Sequence, residues 1–171
     1  MFALKRCVRA VTRMLLGKRK YAIKLGVKMG ENIRIMERVF FGSEPYLVEL
    51  GSNITISNDV EFITHDGGTW AFRDLPEYSD VIKYGRIKVG SNSFIGAHTI
   101  IMPGVTIGER CVIGAGSIVT KDIPDGMVVC GVPARAIKTT HEYAEQSKKN
   151  LKPYDEEEYL KNKRAYLEKY L

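Results

Sequence analysis

The stretch Ile87–Val119, IKVGSNSFIGAHTIIMPGVTIGERCVIGAGSIV, decides the fold. Counted in sixes from Val89, an aliphatic residue returns at Ile95, Ile101, Ile107, Ile113 and Val119. Gly90, Gly96, Gly108 and Gly114 each follow one of them. An amphipathic helix repeats every 3.6 residues and an alternating strand every two, so neither accounts for a period of six. A three-sided coil does. Each hexad is one short flat side, with its aliphatic residue pointing inward, and the chain turns a corner before the next. Glycine at such a corner tolerates positive φ and close backbone approach. Three sides close one turn, which predicts Val89 stacked beneath Ile107, Ile95 beneath Ile113 and Ile101 beneath Val119. Coils of this type bury their core only against neighbouring coils, as a parallel β-helix does.

Working outward, the sixfold signal begins weakly after Lys24, at Met29-Gly30, Ile35-Met36, Phe41-Gly42 and Leu47-Val48. The phase then slips by three to Leu50-Gly51, Ile56 and Phe62. A bulge or short loop near Glu44-Pro45 explains the slip, since proline cannot donate to a ladder. The repeat stops at Thr64-His65-Asp66-Gly67-Gly68, and residues 66–86 do not repeat. They carry Trp70, Phe72, Tyr78 and Tyr84 beside Arg73, Asp74, Glu77 and Asp80. A long loop inside a compact domain is usually functional. After Val119 the coil closes through Ile123-Pro124 and Val128–Pro133. Three segments follow from this reading: a basic amphipathic helical cap over 1–23, a coil over 24–138 with its extended loop 66–86, and a charged helical tail over 139–171, broken at Pro153.

Phe2–Leu16 has apolar residues at Leu4, Cys7, Val8, Val11, Met14 and Leu15 among Lys5, Arg6, Arg9 and Arg13. A terminal cap is the favoured reading, because a solenoid must cover its open end. The other is a weak contact of residues 1–20 with an anionic membrane surface. The net charge is +6, and residues 1–30 hold nine Lys or Arg and no acid. No nucleic-acid motif accompanies this cluster, so no nucleic-acid partner is expected. No run reaches the roughly 20 apolar residues of a membrane span. The first residues also lack the apolar core and cleavage site of a secretory signal. Cys7, Cys111 and Cys130 are odd in number and have no metal-like spacing, which fits reduced thiols and a cytoplasmic location.

Among the three histidines, His65 sits where the repeat gives way to a glycine-flanked loop, and it is read as a general base. His98 lies within a regular hexad and is read as structural. A catalytic metal needs about three protein ligands, and if His65 and His98 met on adjacent coils or subunits a third would still be missing, so no metal is expected. Ala97 and Ala115, eighteen apart, stack at one corner and leave a shallow trench beside exposed backbone amides. Such a trench suits a thin amide-bearing chain that ends in phosphates held by Lys and Arg.

The segments Val60-Glu-Phe-Ile-Thr-His-Asp-Gly-Gly, Ile87-Lys-Val-Gly-Ser-Asn-Ser-Phe-Ile-Gly-Ala-His, Pro103-Gly-Val-Thr-Ile-Gly, Val112-Ile-Gly-Ala-Gly-Ser-Ile-Val-Thr-Lys-Asp-Ile-Pro and Gly131-Val-Pro-Ala-Arg resemble the hexapeptide-repeat acyltransferases. Among them the chain is similar to the galactoside and maltose acetyltransferases and the sugar O-acetyltransferases of polysaccharide assembly, over roughly Lys24–Lys138. The resemblance implies a mainly β fold: a left-handed parallel β-helix, against the usual right-handed crossover, with a protruding loop and flanking N- and C-terminal helices. It implies a homotrimer with acetyl-CoA bound between subunits and a sugar or glycan acceptor. It assigns the base to His65 and the amide facing the thioester oxygen to Ala97. Pantetheine contacts fall on Ala115 and Thr120, the adenine-phosphate end on Lys121, Arg135 and Lys138, and an aromatic position on Phe94. The acceptor-positioning Asn of the galactoside enzymes has no sure counterpart. Glu44 and Asn58 stand as candidates for its place, with Asp66 and Trp70 in the divergent loop. The reading is direct acetyl transfer to a sugar hydroxyl. Its rivals are an amino-sugar N-acetyltransferase, a serine O-acetyltransferase, a metal hydratase like gamma-class carbonic anhydrase, and a non-catalytic trimeric scaffold.

Overall fold

The computed structural model describes Thr12, residues 15–150 and residues 155–170. Of the helical stripe expected over Phe2–Leu16, Thr12, Leu15 and Leu16 are among these and the rest lies outside them, as does Pro153. Residues 15–24 form helix α1. Short strands then follow one another around a three-sided coil. They are β1 (Lys28–Met29), β2 (Ile33–Ile35), β3 (Val48–Leu50), β4 (Ile54–Ile56), β5 (Glu61–Phe62), β6 (Ile87–Val89), β7 (Phe94–Ile95), β8 (Ile100–Ile101), β9 (Thr106–Ile107), β10 (Val112–Ile113), β11 (Ile118–Val119), β12 (Met127–Gly131) and β13 (Ala134–Thr139).

They assemble into three sheets, one per side. Sheet one runs β1-β3-β6-β9, sheet two β13-β12-β10-β7-β4-β2, and sheet three β11-β8-β5. Every pairing is parallel except β12–β13. Val89 pairs with Ile107, Ile95 with Ile113 and Ile101 with Val119, the stacking that the hexads require. Their side chains are buried and fill the prism with Val48, Ile54, Ile56, Val60 and Phe62.

The phase slip has a structural cause. Pro45–Leu47 forms a single 3-10 turn, closed by the Leu47 N–H to the Glu44 carbonyl at 2.9 Å. The first coil is therefore three residues longer, so Met29 pairs with Leu50 and Ile35 with Ile56. The Phe41 and Phe62 rings stack at 5.2 Å by the same offset. Loop 66–86 is absorbed likewise, with Leu50 pairing with Val89 and Phe62 with Ile101.

Of the two reasons expected for the corner glycines, one applies at Gly90 and Gly96. Positive φ falls two residues later, on Asn92 (60°), His98 (57°) and Arg110 (54°), and in earlier coils on Asn32, Arg38, Asn53 and Asp59. Gly90 and Gly96 are needed because a Cβ there would collide with the backbone of the next coil. Close approach, rather than conformational freedom, selects glycine at those sites.

Residues His141–Leu171 form a second compact unit. Helix α2 spans Thr140–Asn150, α3 Glu156–Lys161 and α4 Lys163–Tyr170. Asp155 caps α3 by accepting from the Glu158 N–H at 2.9 Å, as short polar side chains do at helix starts. Lys169 pairs with Glu158 at 2.9 Å, and Tyr166 is the buried residue of α4. No described helix is long and apolar enough to cross a membrane.

Candidate active site

The three corners of the coil carry different chemistry. At the corner from sheet one to sheet two, side-chain oxygens cap backbone amides of the coil below. Glu31 N–H donates to Ser52 Oγ at 3.0 Å, Ser52 N–H to Ser91 Oγ at 3.1 Å, and Glu109 N–H to Asp125 Oδ1 at 2.7 Å. The corner from sheet two to sheet three starts the same way, with Glu37 N–H donating to Asn58 Oδ1 at 3.0 Å. The next residues in that column are Ala97 and Ala115, which have no oxygen to offer. Among the described residues no acceptor faces the N–H of Asn58, Ala97 or Ala115. Ala97 still uses its carbonyl, which accepts from Gly116 N–H at 2.8 Å, so its register is fixed. The small residues thus leave three successive donors without an acceptor at this corner, where the neighbouring corner leaves one, the Ser91 N–H, among the described residues.

His65 stands at the third corner, from sheet three to sheet one. Its backbone bridges Tyr84 across the neck of the loop, flanked by Gly85 N–H to the Thr64 carbonyl at 2.9 Å and Asp66 N–H to the Lys83 carbonyl at 2.8 Å. The ring, 44% exposed, places Nδ1 3.3 Å from Glu44 Oε2, and Tyr84 leans over it with centroids 6.0 Å apart. Glu44 immediately precedes the 3-10 turn of the first coil and is only 17% exposed. Its carboxylate also accepts from the buried Thr64 hydroxyl at 2.6 Å. Asp66 turns away from the ring to accept from Gly68 N–H at 2.9 Å and from Lys83 at 3.1 Å. Those two contacts, the amide first, hold its carboxyl below the usual aspartate range.

The other expected residues divide between corners. Phe94 lies in β7, in register with Val112, and Arg135 and Lys138 lie in β13, opposite Cys130 and Val128. All three belong to sheet two, which leads into the Ala97/Ala115 corner. Thr120 and Lys121 follow β11 and so lie on the His65 corner, apart from the alanines with which the sequence grouped them. Asn58 sits in the alanine column, where its carbonyl accepts from His98 N–H at 2.9 Å. Glu44, not Asn58, is the candidate that reaches His65. Trp70 is 79% exposed on the loop, with the Arg73 guanidinium 5.9 Å from its ring. With Asp74 and Ser79 they line a hollow of about 460 Å³.

His98 is at the alanine corner, 3.9 Å from Asp59, so it does not meet His65. Asp59 is held below the usual range chiefly by Arg38, whose Nη2 lies 2.7 Å away. No group of His, Cys, Asp and Glu suited to a metal occurs among the described residues. The Cys111 thiol is fully buried, which pushes it up and keeps it protonated, unsuited to nucleophilic attack. Sequence reasoning passed over Thr64 and Lys83. Thr64 looked like any polar residue at the end of a hexad, and only the coil stacking brings it under Glu44.

Residues 86–121 match the family model of bacterial transferase hexapeptide, six repeats. The protein CapG of Staphylococcus aureus is 44% identical over 122 residues, 70% of each chain. The chain belongs to the hexapeptide-repeat acyltransferases. Further curated relatives of this hexapeptide-repeat acyltransferase, at 33 to 40% identity, are matched over 55 to 67% of their own length. A solved maltose O-acetyltransferase from Clostridium difficile 630 superposes with TM-score 0.57 at 26% identity, over 80% of this chain and 87% of that one. A galactoside acetyltransferase in complex with coenzyme A superposes with TM-score 0.51 at 27% identity, over 74% and 72%.

Proposed function

We propose that this enzyme moves an acetyl group from acetyl-CoA to a hydroxyl of a saccharide by direct transfer. The observation that carries the reading is the uncapped amide column at Asn58, Ala97 and Ala115, where the neighbouring corner spends side-chain oxygens on two of the three equivalent amides, those of Ser52 and Glu109. A pantetheine arm is a chain of amides that pairs with such donors, and a thioester oxygen needs one as it gains charge. Arg135 and Lys138 on the adjoining sheet suit the phosphate end. The maltose and galactoside acetyltransferases on the same coil, one of them holding coenzyme A, support both donor and acceptor class.

In the reaction, His65 accepts the proton of the acceptor hydroxyl as its oxygen attacks the thioester carbon. The tetrahedral oxyanion is held by the Ala97 N–H. Its collapse breaks the carbon–sulfur bond, and the leaving thiolate takes the proton back from His65. Within one chain, the base and the amide column occupy different corners with sheet three between them. A closed trimer supplies the missing half, one copy's His65 corner facing the next copy's alanine corner. The coil winds left-handed in this reading, in keeping with the left-handed φ of its corner residues.

The test is release of free CoA from acetyl-CoA across a panel of sugars, amino sugars and serine. Turnover is expected with saccharide hydroxyls. Release only with amines or with serine would overturn the acceptor class, and none with any acceptor, despite CoA binding, would overturn the enzymatic reading.

A further inference from the structure

The carboxylate behind His65 is held too firmly to be an incidental surface acid. Glu44 and Thr64 clamp one another twice. The Thr64 hydroxyl donates to Glu44 Oε2 at 2.6 Å, and the Glu44 backbone N–H donates to Thr64 Oγ1 at 3.3 Å. Thr64 is 1% exposed and tied by its carbonyl to Gly85, so the clamp is anchored in the coil. The turn reaches that position only because Gly42, at φ +73°, has no Cβ to strike Thr64. The 3-10 turn at Pro45 then fixes the backbone that follows. The same Oε2 faces His65 Nδ1 at 3.3 Å. An ionised carboxylate cannot donate, so this contact requires Nδ1 to carry the hydrogen. The remaining ring nitrogen, Nε2, then holds the free lone pair.

We propose that Glu44 is a positioning residue: clamped by Thr64, it selects the Nδ1–H tautomer of His65 and makes Nε2 the nitrogen that receives the acceptor's proton. The inference rests on His65 as the base. It gives a function to Glu44, the last residue before the 3-10 turn of the first coil, which the stacking of the coils puts under the next coil's histidine. The contacts of the Glu44 carboxylate are with Thr64 and His65. It acts through the ring.

The experiment reads the ring directly, by ¹⁵N–¹H correlation of His65 in labelled full-length protein without substrate, at a pH where the imidazole is neutral. Wild type should be protonated at Nδ1. Glu44→Ala should shift the ring toward the Nε2–H form and lower kcat about 10–100-fold, the usual effect of removing a group that orients a functional histidine. The KM for acetyl-CoA should stay within about twofold, because the donor corner is untouched. Glu44→Gln keeps an acceptor oxygen and should restore the tautomer and part of kcat. Thr64→Val keeps the carboxylate but releases the clamp, and should lower kcat several-fold with a mixed tautomer. An unchanged tautomer in Glu44→Ala, or wild-type kcat, overturns the proposal. If that variant does not fold, an unchanged tautomer and kcat in Thr64→Val overturn it instead. A turnover-competent His65→Ala protein would remove the base assignment itself, an outcome separable from the tautomer result.

Discussion

At the residue scale, His65 and Asp66 are neighbours with opposite surroundings, and each makes its own prediction. His65→Ala should lower kcat about 10²–10⁴-fold, the contribution of a positioned general base, with acetyl-CoA affinity nearly unchanged. Steady-state kinetics beside a CoA titration checks both, and near-normal turnover would sink the mechanism. Asp66 anchors the loop through Gly68 N–H and Lys83, and its carboxyl is held below the usual aspartate range. A carboxyl lowered on folding stabilises the folded loop above its unfolded pKa, and that contribution is lost as pH falls through the folded value. The anchor should therefore be intact at neutral pH and release only below about pH 4, the ordinary aspartate region. The Gly68 amide resonance followed by pH reports it, and a midpoint at or above the ordinary value would contradict the anchor. Of these residues, His65 was legible in the sequence because a repeat stopped beside it. Glu44 was visible only as a candidate for the acceptor, since its contact with His65 depends on a coil offset that the hexad count alone does not give.

At the scale of elements, the hexads after Ile87 were legible down to the pairing of individual residues, because a period of six with a buried aliphatic leaves one register open. The slip near Glu44 was legible as a position, and the 3-10 turn at Pro45–Leu47 supplies its form. Two things needed the structure. Of the two reasons for glycine at Gly90 and Gly96, positive φ and close approach, the backbone of the next coil selects the second. Thr120 and Lys121 joined Ala97 and Ala115 through the family resemblance, and the three-sided coil puts them one corner on, at the corner of His65. The amide column yields a prediction at this scale. Ala115→Ser should cap the Ala97 N–H as Ser91 caps that of Ser52. One added hydrogen bond is worth about 1 kcal/mol, so the melting temperature should hold or rise by roughly 2–4 °C. Activity should fall about 10²–10³-fold, as when one oxyanion donor is lost. A variant more stable and less active separates function from folding. Full activity with a protected Ala97 amide would take that amide out of the mechanism.

For the whole molecule, the outer faces of the prism differ as much as its corners. Sheet one presents Lys28, Glu49 and Lys88, with Glu49 paired to Lys28 at 3.2 Å and to Arg86 at 2.5 Å, a face suited to water. Sheet two presents Phe94, Val112 and Val128 in one column with Arg34, Thr55 and Lys138, and sheet three presents Ile100 and Ile118 in register with Glu61. These two faces, each with apolar residues along it, flank the alanine corner, and the described chain leaves Phe94 and the loop aromatics Trp70 and Tyr84 exposed. A head-to-tail ring of three copies covers such faces and brings unlike corners together at each junction. Each cleft then takes its base from one chain and its amide column from the next, so two inactive variants should complement. His65→Ala chains lack the base, and Ala115→Trp chains have the donor trench filled. Unfolded, mixed in equal amounts and refolded, a cleft is whole only when a chain with intact His65 precedes a chain with intact Ala115. Random assembly makes about one quarter of clefts whole, so the mixture should recover about a quarter of wild-type activity while each variant refolded alone recovers none. Light scattering on the same samples fixes the assembly. A trimer with no recovered activity would put base and trench of one site in the same chain, and a monomer would leave the His65 corner and the alanine corner unable to meet.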